Sequence, residues 1–320
     1  MSYFILPKNN NIIDIIPLFD IEKNPIYTSY SVYNHYYETY EQLKKIISTD
    51  NTDISFNEIE NLYKEFNPYE YIFSKVPGSK YSVSKLKTKT NLFYEFLEIS
   101  TILNFFDPFK NSNVKMIHIG ENFSDIAECF SLLRENKEDV LIHYNDANVV
   151  ECKFDFIFFE MENKNNNIND TIYYFIKLIM IILKFHTISC VAIIQITHII
   201  HKPVIQLLYL LASLFEKTYI IKPNSSNAIS FEKYIVCKHF IMNENKTEIY
   251  KKYYHKLNEL LQNKNQHLET NIHSIIAQNL PYFFINKIDD INIIIGQQQL
   301  ECIDQIINVF KNNNRKIGRA

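Results

Sequence analysis

Between about residues 91 and 240, short apolar runs alternate with stretches in which apolar residues recur every three or four positions. The runs Val114–Ile119, Val140–His143, Phe154–Phe159, Cys190–Ile196, Thr218–Lys222 and Lys233–Lys238 predict strands. The helical spacings predict helices near Asn91–Leu103, Phe123–Leu133, Ile172–Lys184 and Pro203–Glu216. Strands separated by helices imply a parallel sheet covered on both faces. The last two strands are joined only by PNSSNAISFE, too short for a crossover helix, so they are expected to pair antiparallel.

The flanks read differently. An amphipathic pattern at Tyr33–Ile47 and another at Phe56–Phe66 predict an N-terminal helical extension, taken as residues 1–90. It ends in the basic segment Lys75–Lys89, with Lys75, Lys80, Lys85, Lys87 and Lys89 and no acidic residue. A solvated loop is the commoner explanation of such a run, and an anion or RNA site is the alternative. After the α/β region at 91–242, helical patterns at Thr247–Gln262, Thr270–Ala277 and Asp290–Val309 predict a helical appendage at 243–311, followed by a basic tail at 312–320. The apolar stretch Thr171–Ile200 is broken by Lys177, Lys184, His186 and His198, so it reads as a buried helix and strand, with no membrane contact expected.

Composition narrows the chemistry. Of 320 residues, 47% are hydrophobic and 22% charged, enough for a large core, and the net charge of -3 shows no global bias toward nucleic acid. Only four glycines occur, Gly78, Gly120, Gly296 and Gly318. Glycine-rich nucleotide loops need several such residues within one turn, which excludes P-loop enzymes and orthodox dinucleotide-binding dehydrogenases. Five scattered cysteines without a CxxC suit buried thiols in a reducing compartment, and no signal peptide is evident at the N-terminus. A cytoplasmic location is expected.

The most specific stretch is Phe215–Phe240, FEKTYIIKPNSSNAISFEKYIVCKHF. It resembles the closing hairpin of the FtsJ-like ribose 2′-O-methyltransferases, where a strand ends in Lys-Pro, passes a Ser-Ser-Arg and an Asn-Ser step, and returns as Glu-x-Tyr-x-Val-Cys. Lys222, Pro223, Ser225, Ser226, Ser230, Glu232, Tyr234, Val236 and Cys237 stand at those positions, with Asn227 in place of Arg and Phe231 in place of Ser. The order of elements from Val114 to Phe240 fits the same fold, and the Asn91–Val309 arrangement, about two thirds of the chain, looks like FtsJ-like proteins of large cytoplasmic DNA viruses; the first ninety or so residues are not explained by the resemblance. The resemblance implies a Rossmann-like methyltransferase fold, a mostly parallel sheet with a terminal antiparallel hairpin, plus N- and C-terminal helical extensions. If the chain is viral, its location would be the infected host cytoplasm or the virion.

Such enzymes use a Lys-Asp-Lys-Glu tetrad, because the ribose hydroxyl must lose a proton while it is aimed in line at the S-methyl group of S-adenosylmethionine. The resemblance places Glu160 at the Asp position, Gln195 at the second Lys and Glu232 at the Glu. The first Lys has no secure equivalent: TKTNLFYEFLEI puts Glu95 near it and Lys89 near a preceding Arg. Gln195 can neither accept the proton nor carry the charge.

The cofactor loop departs too. Where the family has Gly-Ala-Ala-Pro-Gly-Gly, this chain has Gly120, Glu121, Asn122 and Phe123, and a Cβ and a ring fill space that small residues leave for the cofactor. Asn145 and Asp146 are the candidate contacts to ribose or adenine, with a turn after a strand the commoner role for Asp146. By the same resemblance Ser225 and Ser226, with the basic segment, are the candidate RNA contacts.

Other chemistry is not supported. His186, His198 and His201 have no carboxylate at metal spacing, so no metal site is expected, and no GxSxG motif or nucleophilic Cys context exists. Tyr30, Tyr33, Tyr36, Tyr37 and Tyr40 are expected to form a packing face of a helix rather than a base-stacking platform. Three functions stay open: an RNA (cap) 2′-O-methyltransferase homologue that is catalytically impaired or inactive, with S-adenosylmethionine its cofactor if any, an active enzyme with a rearranged site, and a non-enzymatic RNA-binding or scaffold subunit that uses the C-terminal helices against a protein partner.

Overall fold

The structure is a computed structural model that describes residues 2–22, 24–47, 88–135, 138–144, 152–161, 167–241, 244–264 and 270–317. Strands β1 (Ser2–Ile5) and β2 (Ile15–Asp20) and helix α1 (Tyr30–Ile47) come first, then α2 (Leu92–Ile102) and a short 3-10 turn, Asp107–Phe109. The alternating region follows: β3 (Lys115–Ile119), α3 (Phe123–Arg134), β4 (Val140–His143), β5 (Phe154–Phe159), α4 (Ile168–Phe185), β6 (His186–Ile196), α5 (Lys202–Leu214), β7 (Phe215–Lys222) and β8 (Lys233–Phe240). Helix α6 (Glu244–Gln262), β9 (Asn271–Ile276) and α7 (Tyr282–Ile317) complete it.

Seven strands form the main sheet in the order β1-β7-β8-β6-β5-β3-β4. Strands β4, β3, β5 and β6 are mutually parallel, and β8 runs antiparallel between β6 and β7. This is the Rossmann-like methyltransferase arrangement expected, closed by the expected hairpin. Period-two alternation divides the sheet between two cores. Phe156 and Phe158 of β5 join Phe96 of α2 and Ile126 of α3 on one face, whereas Ile157 and Phe159 join α4 and α5 on the other.

The flanks depart from the helical reading. The first residues are not helical: β1 adds an antiparallel edge strand to β7, with Tyr3 opposite Ile221. Thr270–Ala277 was expected to be a helix, yet β9 pairs antiparallel with β2. Ile272, Ile275 and Ile276 are all buried there, and partner strand and core override a local pattern too short to distinguish the two periods. Asp290–Val309 is the middle of the longer α7. Tyr250, Leu257, Phe284 and Ile288 of α6 and α7 enter the same core as α4 and α5. The predicted helix at Phe56–Phe66 lies outside the described residues, as does most of the basic segment.

The tyrosine face of α1 packs in part, with Tyr36 and Tyr40 buried and Tyr30 and Tyr37 exposed. Tyr36 donates to the Ile229 carbonyl at 2.7 Å, its ring meets Phe231 edge-on at 4.4 Å, and Tyr36, Tyr40 and Leu43 bury against Ile303, Ile306 and Ile307 of α7. Gly296 lets the two helices meet, because a Cβ there would overlap Cγ1 of Val32. Among the described residues no helix is long and apolar enough to cross a membrane.

Candidate active site

The loop after β3 is built around Gly120, whose φ of 150° is one that L side chains rarely adopt. Glu160, the first residue after β5, donates its backbone N–H to the Ile119 carbonyl at 2.8 Å and accepts the Tyr174 hydroxyl on its own carbonyl at 2.5 Å. Its side chain is thereby laid across the loop. A Cβ on Gly120 would overlap the Cβ of Glu160 and stand 2.6 Å from its Oε2. The Glu160 carboxylate accepts the backbone N–H of Asn122 at 2.8 Å and the side-chain amide of the same residue. Burial pushes the Glu160 carboxyl up, but hydrogen bonding by His118 and Asn122 outweighs it and leaves the group below its ordinary value. Asn122 is the stronger of these, since His118 Nε2 stands 3.6 Å from Oε2 and burial holds its imidazole neutral.

Aromatic rings close the other side. Phe123 stacks on His143 of β4 with centroids 5.0 Å apart, and His143 Nε2 hydrogen-bonds the Gly120 carbonyl at 2.7 Å. Glu121 is exposed, and Asn145 and Asp146 lie outside the described residues. The space beside Gly120 thus holds a carboxylate, and Phe123 lies stacked on His143.

The positions that the resemblance identified do converge. Gln195 lies opposite Tyr234 in the β6–β8 register, and its Oε1 accepts the Met161 N–H at 3.0 Å, so its amide fixes the chain just after Glu160. Tyr234 donates to Glu95 of α2, which is buried. Burial, with the Glu232 charge added, pushes the Glu95 carboxyl up, opposed by the Tyr234 hydrogen bond and Lys222. Sequence reasoning placed Glu95 next to the missing lysine, and the structure puts it against the hairpin.

The hairpin lysines are fully engaged. Lys222 donates to the carbonyls of Asn227 at 2.7 Å, Ser230 at 3.0 Å and Glu232 at 2.7 Å, holding the loop closed from inside. Burial pulls its ammonium down, against the charges of Glu232 and Glu95. Lys233 donates to the Thr197 and Phe231 carbonyls, and burial, then the Lys222 charge, pull it down to about 7.

The two serines of the hairpin loop turn inward. Ser225 is buried, with its N–H and hydroxyl on the Glu98 carboxylate at 3.0 and 2.7 Å, and Ser226 is buried with its hydroxyl on the Pro223 carbonyl at 2.7 Å. The Glu98 carboxylate accepts the loop N–H groups of Asn224 and Ser225, and both serine hydroxyls donate to acceptors inside the protein. Lys89 is exposed, and only its backbone is anchored, through an N–H to Asp125 at 3.3 Å, so it is not placed with the converging positions. Lys75, Lys80, Lys85 and Lys87 lie outside the described residues. Glu98, His118, His143 and Tyr174 went unrecognised from sequence, whereas Asn122 was expected in the cofactor loop and instead serves the Glu160 carboxylate. Glu98 had one signal, its position one helical turn after Glu95. Among the described residues no group of three or more His, Cys, Asp or Glu could hold a metal ion.

No family model matches the chain, and no curated protein matches it. Among solved structures, it is similar to a candidate ribosomal RNA methyltransferase of Plasmodium falciparum, with 14% identity over 48% of this chain and 100% of that one and a TM-score of 0.37. It is similar to human methyltransferase-like protein 13 in complex with S-adenosylhomocysteine, at 10% identity over 53% and 92% of the two chains and a TM-score of 0.30. A third, PigF with S-adenosylhomocysteine, has 9% identity over 65% and 70%, with a TM-score of 0.26.

Proposed function

We propose that this protein is a methyltransferase-fold homologue of the FtsJ-like RNA ribose 2′-O-methyltransferases that no longer transfers methyl groups. The observation that carries this reading is the contact of Glu160 with Gly120 and Asn122, which occupies the space beside the loop glycine with a hydrogen-bonded carboxylate. The three positions matched to the tetrad, with Glu95 beside the unmatched first lysine, bring supporting chemistry. Glu95, Glu160, Gln195 and Glu232 offer three carboxyl groups and an amide, with no amine to take a proton from a ribose hydroxyl. Lys222 and Lys233 direct their amines at backbone carbonyls.

Calorimetry of the full chain with S-adenosylhomocysteine tests it. No heat of binding is expected, and no label is expected in capped or uncapped RNA incubated with labelled S-adenosylmethionine. Saturable binding together with labelled RNA would establish the rearranged, active enzyme instead.

A scaffold role is the second reading, favoured by the exposed aromatic and aliphatic groups on α7, where Tyr282 is 77% and Phe283 58% exposed. Sedimentation of the full chain distinguishes a self-associating subunit from a monomer that waits for a different partner.

A further inference from the structure

The N-terminal ends of the parallel strands, opposite the Gly120 loop, carry a second concave site. A cavity of about 440 Å3 opens between the end of α4, the start of β6 and one face of α6. That volume falls within the roughly 300–1,000 Å3 usual for small-molecule sites. Tyr250 and Tyr254, one turn apart on α6, supply apolar walls with Leu183, while Lys153, Lys184, Lys251 and His255 line it with basic groups. No carboxylate is among its lining residues that the structure describes.

The walls are fixed in place. Tyr250 is buried, with its hydroxyl on the Ile241 carbonyl at 2.8 Å, and His186 stacks on Phe240 at 3.7 Å. The negative end of α4 would oppose an anion here. Its carbonyls are already bound, Lys184 O by the Lys153 ammonium at 3.0 Å and Ile182 O by His186 Nδ1 at 3.0 Å. Thr247 lines the cavity from the first turn of α6, the positive end of that helix. Glu248 pairs with Lys251 at 2.9 Å, an exposed pair whose attraction is weak enough for a ligand anion to compete.

We propose that this cavity binds a nucleoside phosphate, with the base against the tyrosine faces and the phosphates among Lys184, Lys251 and His255. A plain inorganic anion would leave the aromatic walls unused, and an apolar ligand would leave the ammonium groups unmatched. Flat aromatic faces accept any base, and ammonium groups bind phosphate as point charges. The phosphate source is a free nucleotide or the 5′ end of an RNA. The site shares no residue with the Gly120 loop, so it stands or falls apart from the proposed loss of methyl transfer.

The test is titration of the full chain with ATP, inorganic tripolyphosphate, and an RNA hexamer bearing either a 5′-triphosphate or a 5′-hydroxyl. ATP is expected to bind at least tenfold more tightly than tripolyphosphate. The exposed-surface double variant Lys184→Glu/Lys251→Glu should weaken ATP at least tenfold with an unchanged circular dichroism spectrum, and Tyr254→Ala at least fivefold. Tighter binding of the triphosphorylated hexamer than of ATP supports the site with RNA as the source, and the reverse supports it with free nucleotide. No ATP binding, equal binding of tripolyphosphate, or ATP affinity unmoved by the double variant each overturns the proposal.

Discussion

Glu160 and Gly120 occupy one space: the carboxylate of the first lies where any side chain on the second would have to stand. The two residues end neighbouring parallel strands, β5 and β3, so the sheet itself sets their approach. Gly120→Ala therefore meets a steric overlap and an unfavourable φ together. A loss of about 1–3 kcal/mol is expected in urea denaturation. An unchanged midpoint would show that Glu160 swings away freely, and that the space beside the loop can be vacated.

Glu95 gives a pH signature. Its folded value is raised above the ordinary 4.5, so the native state holds a proton that the unfolded chain releases. Its stabilising contribution is complete below that ordinary value and declines as pH rises toward the folded value. Glu95→Gln keeps an acceptor for the Tyr234 hydroxyl and removes the titration. Denaturation midpoints at pH 5 and pH 8 should therefore show the variant gaining on the parent at the higher pH, and parallel changes in the two proteins would refute the assignment.

Lys233 works in the opposite sense. With a folded value near 7 against an ordinary 10.5, the unfolded chain binds the extra proton, so this group adds stability as pH rises from 7 to 9. Lys233→Met should flatten that rise. The same pair of titration curves would show no difference if the ammonium stayed protonated inside the hairpin.

Gln206 of α5 ties the small sheet to the main body. Its Nε2 donates to Ser274 Oγ at 2.9 Å, and its Oε1 accepts the Ile275 N–H at 2.7 Å. Gln206→Leu takes the acceptor from the buried Ile275 N–H, while Ser274 Oγ keeps the Ile276 carbonyl, at a cost of about 1–3 kcal/mol. Hydrogen exchange at Ile275 should accelerate in the variant, and retained protection there would mean the β2–β9 pair stands without it.

The alternating region was legible because each of its elements carries its own period. Strand β5 is a continuous apolar run, and α4 repeats every third or fourth residue. The hairpin was legible from the shortness of its connection. What escaped was long-range: β1 and β2 are recognisable only beside β7 and β9, and β9 alone offers too few residues to separate strand from helix. In the candidate site the positions Glu95, Glu160, Gln195 and Glu232 came from the family resemblance, but the inward turn of Ser225 and Ser226 did not. Their orientation follows from Glu98, a partner on another element, and no spacing within the loop encodes it.

The pairing of β2 with β9 also bears on how the chain is made. Asp14 and Gln278, 264 positions apart, exchange hydrogen bonds in both directions, the Asp14 N–H to Gln278 Oε1 at 3.0 Å and the Gln278 amide to Asp14 Oδ2 at 3.1 Å. A ribosome releases the first of these residues long before the second. The segment around β2 must therefore wait until β9 is made with Ile15 and Phe19 uncovered, and deleting either strand removes half of a seam whose other half lies far along the chain.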